Sequence, residues 1–293
     1  MKQISKIASY SLFGFLILFS LLPFWILYRK ADFLAFIFNK VIKYRKKVVL
    51  KNLENSFNRK VNLDQVANQF YHFLADTFLE SVKCFTIGKK NLLKRITCDN
   101  PEIMEQYAKE NRSVIFMSAH YGNWEYLIYA MNLLFPHKAI GVGKPLTNQV
   151  MNNLTNKKRS RFGMKIINAL NIKEEFAKDK NTLTASLFLS DQYPGGVGKG
   201  YASTFLYKHT EFLYGAEKYA KEYNYAVVYA DLERIKRGYY KIHLIKITDH
   251  PQEEPKGNIM KTYITLLEKT IQRAPAYWLW SHKRWKHLPG FYS

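Results

Sequence analysis

The chain has 293 residues, of which 47% are hydrophobic and 16% aromatic, and its formal net charge is +22. This composition excludes a largely disordered chain, and the length allows one large domain or two smaller ones. The positive charge indicates an acidic partner: nucleic acid, an anionic membrane surface, or an acidic protein or substrate. The two cysteines, Cys84 and Cys98, lack CxxC spacing, so we expect ordinary thiols rather than disulfides or metal ligands.

The N-terminus contains an uncharged apolar stretch over residues 8–27. A helix of this length spans the hydrocarbon core of a bilayer, so we expect a transmembrane helix within an N-terminal membrane anchor, residues 1–30. A helix that lies in the membrane interface is the alternative, and Pro23 is positioned to kink either one. Basic residues then predominate over residues 29–60, which favours a cytoplasmic orientation and anionic headgroups; a solvated helix face is the alternative.

The rest of the chain reads as one domain, residues 31–293, with a helical portion (31–95) and an α/β catalytic portion (96–293). Apolar spacing predicts helices over 31–58 and 63–85, the second capped by Asn62 or Asp64. Further on, apolar runs predict strands at 113–119, 139–142, 184–190, 226–230 and 239–247. Helical patterns separate them at 101–110, 123–134, 147–162, 211–223 and 258–272. This alternation indicates an α/β fold with a largely parallel central sheet flanked by helices.

His120 lies where the apolar run 113–119 ends and a helical pattern begins, the sheet edge at which α/β proteins hold their sites. Glu125 follows five residues later. If Asn123 starts or caps the helix, this carboxylate can fold back towards the imidazole, and such a pair forms a general base. The spacing alone is weak, because chance gives about half an instance of H-x4-[DE] in this composition. The alternative is a hydrogen-bonded histidine at a strand end, with Glu125 favouring the helix N-terminus.

Other catalytic signatures are missing from the sequence. It contains no HExxH, GxSxG or GxGxxG motif. The loop YPGGVGKG resembles a phosphate loop but has Tyr193 at the first glycine position and Gly200 where Ser or Thr is required. We therefore predict no metal, no nucleotide and no cofactor.

Five sequence blocks carry a resemblance to a known family. They are YRKKVVLKNLENSF (44–57), HYGNWE (120–125), KKRSRFG (157–163), SDQYPGG (190–196) and YWLWSHKRWK (277–286). In this order along the chain, they resemble the bacterial lipid A biosynthesis acyltransferases, the lauroyl and myristoyl transferases of the lysophospholipid acyltransferase superfamily. Residues 203–220 depart from the family's usual Phe-Gly-x-x-Ala-Thr-x-x-Gly block, so another lysolipid or an amino lipid stays open as the acceptor.

The resemblance implies an enzyme that moves a fatty acyl chain from acyl carrier protein or acyl-CoA to a hydroxyl of a lipid A precursor. It implies a location at the inner membrane, with the catalytic domain on the cytoplasmic side. His120 would be the general base for direct attack on the thioester, and Glu125 would be its orienting carboxylate. The other residues of the matched blocks would bind substrate: Asn123, Arg159, Arg161, Asp191 and Gln192.

Two of these residues could instead have purely structural roles. Arg159 would then be a solvated residue on a basic helix, and Asp191 would be a turn residue. Two other classes of protein also fit the charge. A nucleic-acid-binding protein would use the basic surface, but no recognisable nucleic-acid module is present, so we expect no nucleic-acid partner. A membrane scaffold without catalysis would not need the His120–Glu125 pair.

Overall fold

The computed structural model describes residues 2–57, 61–179 and 181–292; Arg59 and Lys60, the last basic residues of the run after the predicted anchor, lie outside them. The described helices are α1 (Lys2–Ser20), α2 (Phe24–Phe36), α3 (Lys46–Phe57), α4 (Leu63–Lys83), α5 (Lys89–Leu93), α6 (Glu102–Lys109), α7 (Trp124–Leu134), α8 (Gln149–Arg159), α9 (Ile172–Lys178), α10 (Gly215–Tyr223) and α11 (Asn258–Arg273). The described strands are β1 (Ile96–Cys98), β2 (Val114–Ser118), β3 (Lys138–Gly143), β4 (Lys165–Asn168), β5 (Thr184–Leu189), β6 (Tyr201–Phe205), β7 (Lys208–Phe212), β8 (Ala226–Lys236) and β9 (Tyr239–Thr248).

The N-terminal apolar stretch does not form one helix. The predicted continuous helix over residues 8–27 is wrong, because α1 ends at Ser20 and α2 begins at Phe24. Pro23 directly precedes α2 with a φ of −64°; its missing N–H suits a helix start but interrupts a running helix. Among the described residues, no helix combines the length and apolar character needed to cross a membrane.

Large apolar side chains are concentrated on the surface of this N-terminal part. Of the 19 large hydrophobic residues that are exposed in the described chain, 12 lie between Ile7 and Tyr44. Trp25 is 69% exposed and Phe33 64% exposed. Single exposed apolar residues are ordinary, whereas a contiguous apolar patch is typical of an interaction surface.

The predicted helix over residues 31–58 is also divided. α2 continues into a π-helical turn, Ile37–Val41, and the chain then turns before α3 begins at Lys46. Lys43 and Arg45 adopt positive φ angles of 47° and 49°, which a right-handed helix does not allow. The next predicted helix is confirmed as α4, and Asn62 caps it by accepting the Gln65 N–H at 3.1 Å.

The central sheet has seven strands in the order β1-β9-β8-β2-β5-β3-β4. The block β8-β2-β5-β3-β4 is parallel throughout, whereas β9 runs antiparallel to β8. The predicted α/β fold with a largely parallel, helix-flanked sheet is therefore confirmed. The five predicted strands correspond to β2, β3, β5, β8 and β9. The pattern misses β1 and β4, which are only three and four residues long.

A second sheet, the antiparallel hairpin of β6 and β7, is not predicted by the sequence pattern. The helix predicted over 211–223 is consequently correct only from Gly215, where α10 begins. Leu206 and Tyr207 form the hairpin turn with φ angles of 48° and 66°. Glycine or asparagine usually occupies such positions, so this turn lacks the residues by which a hairpin is recognised in a sequence.

β2 lies at the centre of the core and is buried on both faces. Ile115 and Met117 belong to a hydrophobic cluster on one side of the sheet, and Val114 and Phe116 belong to a cluster on the other. This is the pattern of a parallel strand covered by helices on both sides. Ser118 pairs with Leu189 at the end of β5, so the segments that follow β2 and β5 emerge side by side at one edge of the sheet.

Candidate active site

The segment after β2 is held by backbone contacts with the C-terminal part of the chain. The Leu279 N–H donates to the carbonyl of His120 at 3.1 Å, and the Gly122 N–H donates to the carbonyl of Tyr277 at 2.9 Å. Gly122 has a φ of +56°, and a Cβ there would lie 3.1 Å from a Leu232 methyl group. Glycine is therefore required at this turn, and the turn fixes His120 at the sheet edge.

The imidazole of His120 is paired with Asp191, which follows β5. Nδ1 of His120 lies 2.7 Å from Oδ1 of Asp191, and the backbone N–H of His120 donates to Oδ2 at 3.1 Å. The indole N–H of Trp278 donates to the same Oδ2 at 2.9 Å. Asp191 is thus the carboxylate on the histidine ring, although the sequence assigned that position to Glu125.

These contacts determine the charge of Asp191 and the tautomer of His120. Burial by itself raises the pKa of Asp191, but the charge and hydrogen bonds of His120, together with the Trp278 indole, hold that pKa below its ordinary value. An ionised carboxylate only accepts hydrogen bonds, so Nδ1 of the neutral ring carries the proton. Nε2 is then unprotonated, which is the arrangement of a general base.

His120 is the more accessible member of the pair. The His120 side chain is 19% exposed, whereas that of Asp191 is 2% exposed. The Gln192 amide nitrogen lies 3.4 Å from Nε2, and Trp124 packs edge-on against the ring at 5.2 Å between centroids. A hydroxyl group that approaches Nε2 would therefore meet one amide and one indole beside a half-buried base.

Glu125 does not contact His120 among the described hydrogen bonds. Its Oε2 accepts from Nε of Arg159 at 3.0 Å, and its Oε1 accepts from Nη2 of the same side chain. Burial lowers the pKa of Arg159, but the charge and hydrogen bonds of Glu125 outweigh it and the net shift is upward. The sequence predicted that Glu125 would fold back onto the imidazole. Instead, both of its carboxylate oxygens accept from Arg159 of α8, a two-pronged geometry that suits a guanidinium.

Asn123 is fully buried and caps α7. Its Oδ1 accepts the Tyr126 N–H at 2.9 Å, as an N-cap does. Its amide nitrogen donates to Oε2 of Glu80 at 2.6 Å. Both ends of the side chain are occupied within the protein, so the geometry favours a structural role over the substrate contact expected from the sequence.

The contacts of Arg161 in the described structure are with residues outside the His120–Asp191 pair. Its Nη1 donates to the carbonyl of Cys84 at 2.9 Å, and its guanidinium lies 4.4 Å from the centroid of the Phe162 ring. Of the two arginines expected at the site, the structure therefore joins only Arg159 to the motif that contains His120.

Two residues of the site were not singled out by the sequence: Trp278 and His282. The Tyr193 N–H donates to Nε2 of His282 at 3.4 Å, which ties the loop after Asp191 to the C-terminal segment. Burial lowers the pKa of His282 to about 4, although the nearby charge of Asp191 opposes this shift. The matched block YWLWSHKRWK was the only signal that could have found them.

Comparison with known proteins identifies the family. The profile of the family described as bacterial lipid A biosynthesis acyltransferase matches residues 3–287. A lipid A biosynthesis palmitoleoyltransferase of Escherichia coli (strain K12) is 22% identical over 252 residues, which cover 85% of this chain and 81% of the relative. A lipid A biosynthesis acyltransferase of Shigella flexneri has the same identity and coverage. The chain therefore belongs to the bacterial lipid A biosynthesis acyltransferase family and is an acyltransferase.

Proposed function

We propose that the protein is a membrane-associated O-acyltransferase with His120 as its general base. It moves a fatty acyl chain from an acyl carrier protein or acyl-CoA thioester to a hydroxyl of a lipid A precursor. The acceptor is suggested by the family and by the names of both relatives. The observation that carries the mechanism is the His120–Asp191 pair, with Nδ1 and Oδ1 2.7 Å apart and a His120 side chain that is 19% exposed.

In the proposed reaction, Nε2 of His120 takes the proton of the acceptor hydroxyl. The oxygen attacks the thioester carbonyl directly and forms a tetrahedral intermediate without an acyl-enzyme. Collapse of this intermediate breaks the carbon–sulfur bond, and the imidazolium returns its proton to the leaving thiolate. The Asp191 carboxylate orients the ring and stabilises the imidazolium between the two steps.

Two further side chains suit contacts with the substrates. Gln192 holds an amide 3.4 Å from Nε2 of His120, where it can donate to a carbonyl or hydroxyl oxygen of the bound substrate. Arg159 is 27% exposed in its side chain and has its remaining guanidinium donors available beside Glu125. A guanidinium in this position suits a phosphate or carbonyl oxygen of an anionic lipid.

The N-terminal surface supports a location at the cytoplasmic side of the inner membrane. The exposed apolar residues between Ile7 and Tyr44 are followed directly by Lys46 and Lys47 at the start of α3. Apolar residues next to cations bind the interface of a bilayer that contains anionic lipids. The site would then lie close to a lipid acceptor that never leaves the membrane.

The decisive experiment replaces His120 with alanine in the full-length, detergent-solubilised protein. We expect the H120A variant to lose acyl transfer from both acyl carrier protein and CoA thioesters to a purified lipid A precursor, as read by mass spectrometry of the product. The matched control is H243A, because His243 forms the same kind of pair with Asp99, 3.0 Å apart, but is exposed. That variant should retain activity.

Near-normal turnover by H120A, with correct folding shown by circular dichroism, would overturn the general-base role. Transfer to a phosphate-free lysolipid but not to the lipid A precursor would keep the base and refute the proposed acceptor. Running both thioester donors in the same assay identifies the donor.

A further inference from the structure

Arg284 is a fully buried cation without a carboxylate partner. Its side chain has 0% exposure, and Nη1 donates to the carbonyl of Glu211 at 2.6 Å. Within the described part of the chain, Nε and Nη2 have no hydrogen-bond partner, and no carboxylate forms an ion pair with the guanidinium. A buried charge in this condition is costly unless an opposite charge lies nearby.

Aromatic rings surround this guanidinium and connect it to the His120–Asp191 pair. The guanidinium carbon lies 4.1 Å from the centroid of Phe212 and 5.8 Å from that of Phe205. Phe205 packs edge-on against Trp278 at 5.6 Å, and the Trp278 indole donates to Asp191 at 2.9 Å. Two aromatic side chains, Phe205 and Trp278, therefore connect the buried cation to the buried anion of the site.

The pKa of Arg284 also reflects the charge of Asp191. Burial lowers the pKa of Arg284 to about 10, and the charge of Asp191 is the largest influence that opposes this change. Arginine keeps its proton at all relevant pH values, so the positive charge of this buried side chain is permanent. A permanent charge that water cannot screen acts over a longer distance than one at the surface.

We propose that Arg284 is a positioning residue whose fixed charge keeps Asp191 ionised and thereby holds the His120 ring with Nδ1 bonded and Nε2 free. The proposal deepens the proposed general-base function and rests on it. Arg284 touches neither His120 nor substrate in this role; it acts through Asp191.

The test measures the His120–Asp191 bond itself, so it does not require turnover. Full-length protein with 15N-labelled histidine is titrated in detergent, and the Nδ1 proton resonance of His120 is assigned with the H120Q variant. In R284Q we expect this resonance to disappear on acidification about one pH unit or more above its midpoint in the unaltered protein, because Asp191 accepts a proton more readily. R284K, which keeps the charge, should restore the original midpoint.

W285F is the matched control, because Trp285 is the adjacent buried residue and its indole N–H also lacks a partner among the described residues. It should leave the titration unchanged. An unshifted midpoint in folded R284Q, or an equal shift in W285F, would overturn the proposal. These outcomes leave the H120A assay unaffected, so the two proposals fail separately.

If R284Q alone does not fold, the double variant D191N/R284Q decides the question by urea unfolding. D191N leaves Arg284 as an isolated buried charge, so removing that charge should raise the urea midpoint above that of D191N. A double variant no more stable than D191N would show that Arg284 serves packing only.

Discussion

At the scale of single residues, two carboxylates near His120 have different partners and should differ in their effect on catalysis. Asp191 bonds the imidazole, whereas Glu125 bonds Arg159. We expect D191N to lower kcat by about 10²–10⁴-fold, because the amide no longer fixes the tautomer or stabilises the imidazolium. E125Q should lower kcat by about tenfold or less, because it weakens the ion pair with Arg159 of α8 and leaves the His120–Asp191 bond intact.

Steady-state kinetics of both variants, with urea unfolding to verify the fold, separates these roles. If E125Q lost as much activity as D191N, Glu125 would have to reach His120 in the substrate complex, as the sequence spacing had suggested.

A second prediction concerns Glu80, a fully buried carboxylate. It accepts hydrogen bonds from the hydroxyl groups of Tyr28 and Tyr240 and from the Asn123 amide. Burial, then the charge of Asp76, raises its pKa from 4.5 to about 6. The folded state therefore binds this proton more tightly than the unfolded state does. Its stabilising contribution is complete below pH 4.5 and is lost as the pH rises through 6.

We expect the difference in unfolding free energy between the unaltered protein and E80Q to change by about 2 kcal/mol between pH 4 and pH 7, with Glu80 most favourable at the acid end. Urea unfolding at each pH measures this difference. A pH-independent difference would mean that Glu80 has an ordinary pKa in the folded protein.

At the scale of elements, α7 depends on a cap that also serves the buried carboxylate. Asn123 accepts the Tyr126 N–H at 2.9 Å and donates to Glu80 at 2.6 Å. N123A should lower the unfolding free energy by about 2–3 kcal/mol, because about 1 kcal/mol comes from the cap and the rest from a buried carboxylate deprived of a donor.

The matched variant is N62A, since Asn62 caps α4 in the same way at an exposed position. It should cost about 1 kcal/mol or less in the same urea experiment. Equal losses in the two variants would show that the bond from Asn123 to Glu80 contributes little.

At the scale of the whole molecule, the charge of +22 and the exposed N-terminal apolar residues should act together at a membrane. We expect the protein to co-sediment with vesicles containing anionic phospholipid, and the bound fraction to fall as salt rises. The triple variant K43Q/K46Q/K47Q should reduce the bound fraction severalfold. These lysines have no carboxylate partner in the described part of the chain and adjoin the apolar surface.

The control K256Q/K261Q/K269Q removes the same charge from exposed lysines near or within α11. It should bind as the unaltered protein does if the N-terminal surface is the contact. Equal losses in both triple variants would instead indicate attraction by net charge without a defined surface.

The alternation of strands and helices could be predicted without the structure, because β2, β5 and β8 are apolar runs long enough to be recognised. It also located His120 at the end of β2, since a polar residue after a buried strand marks the sheet edge. The family could be identified from five short sequence blocks, because they occur along the chain in the same order as in the family. None of these inferences requires knowledge of which distant residues touch.

The identity of the carboxylate that bonds His120 is visible only in the folded protein. Asp191 lies 71 positions away in the sequence and reaches the ring because β2 and β5 are parallel neighbours in register, with Ser118 beside Leu189. Glu125 is closer to His120 in the sequence, but in the folded protein its carboxylate pairs with Arg159 at the end of α8. The same holds for Trp278 and Arg284, whose roles arise from contacts between elements. The break at Pro23 is different, because it follows from the local backbone chemistry of proline.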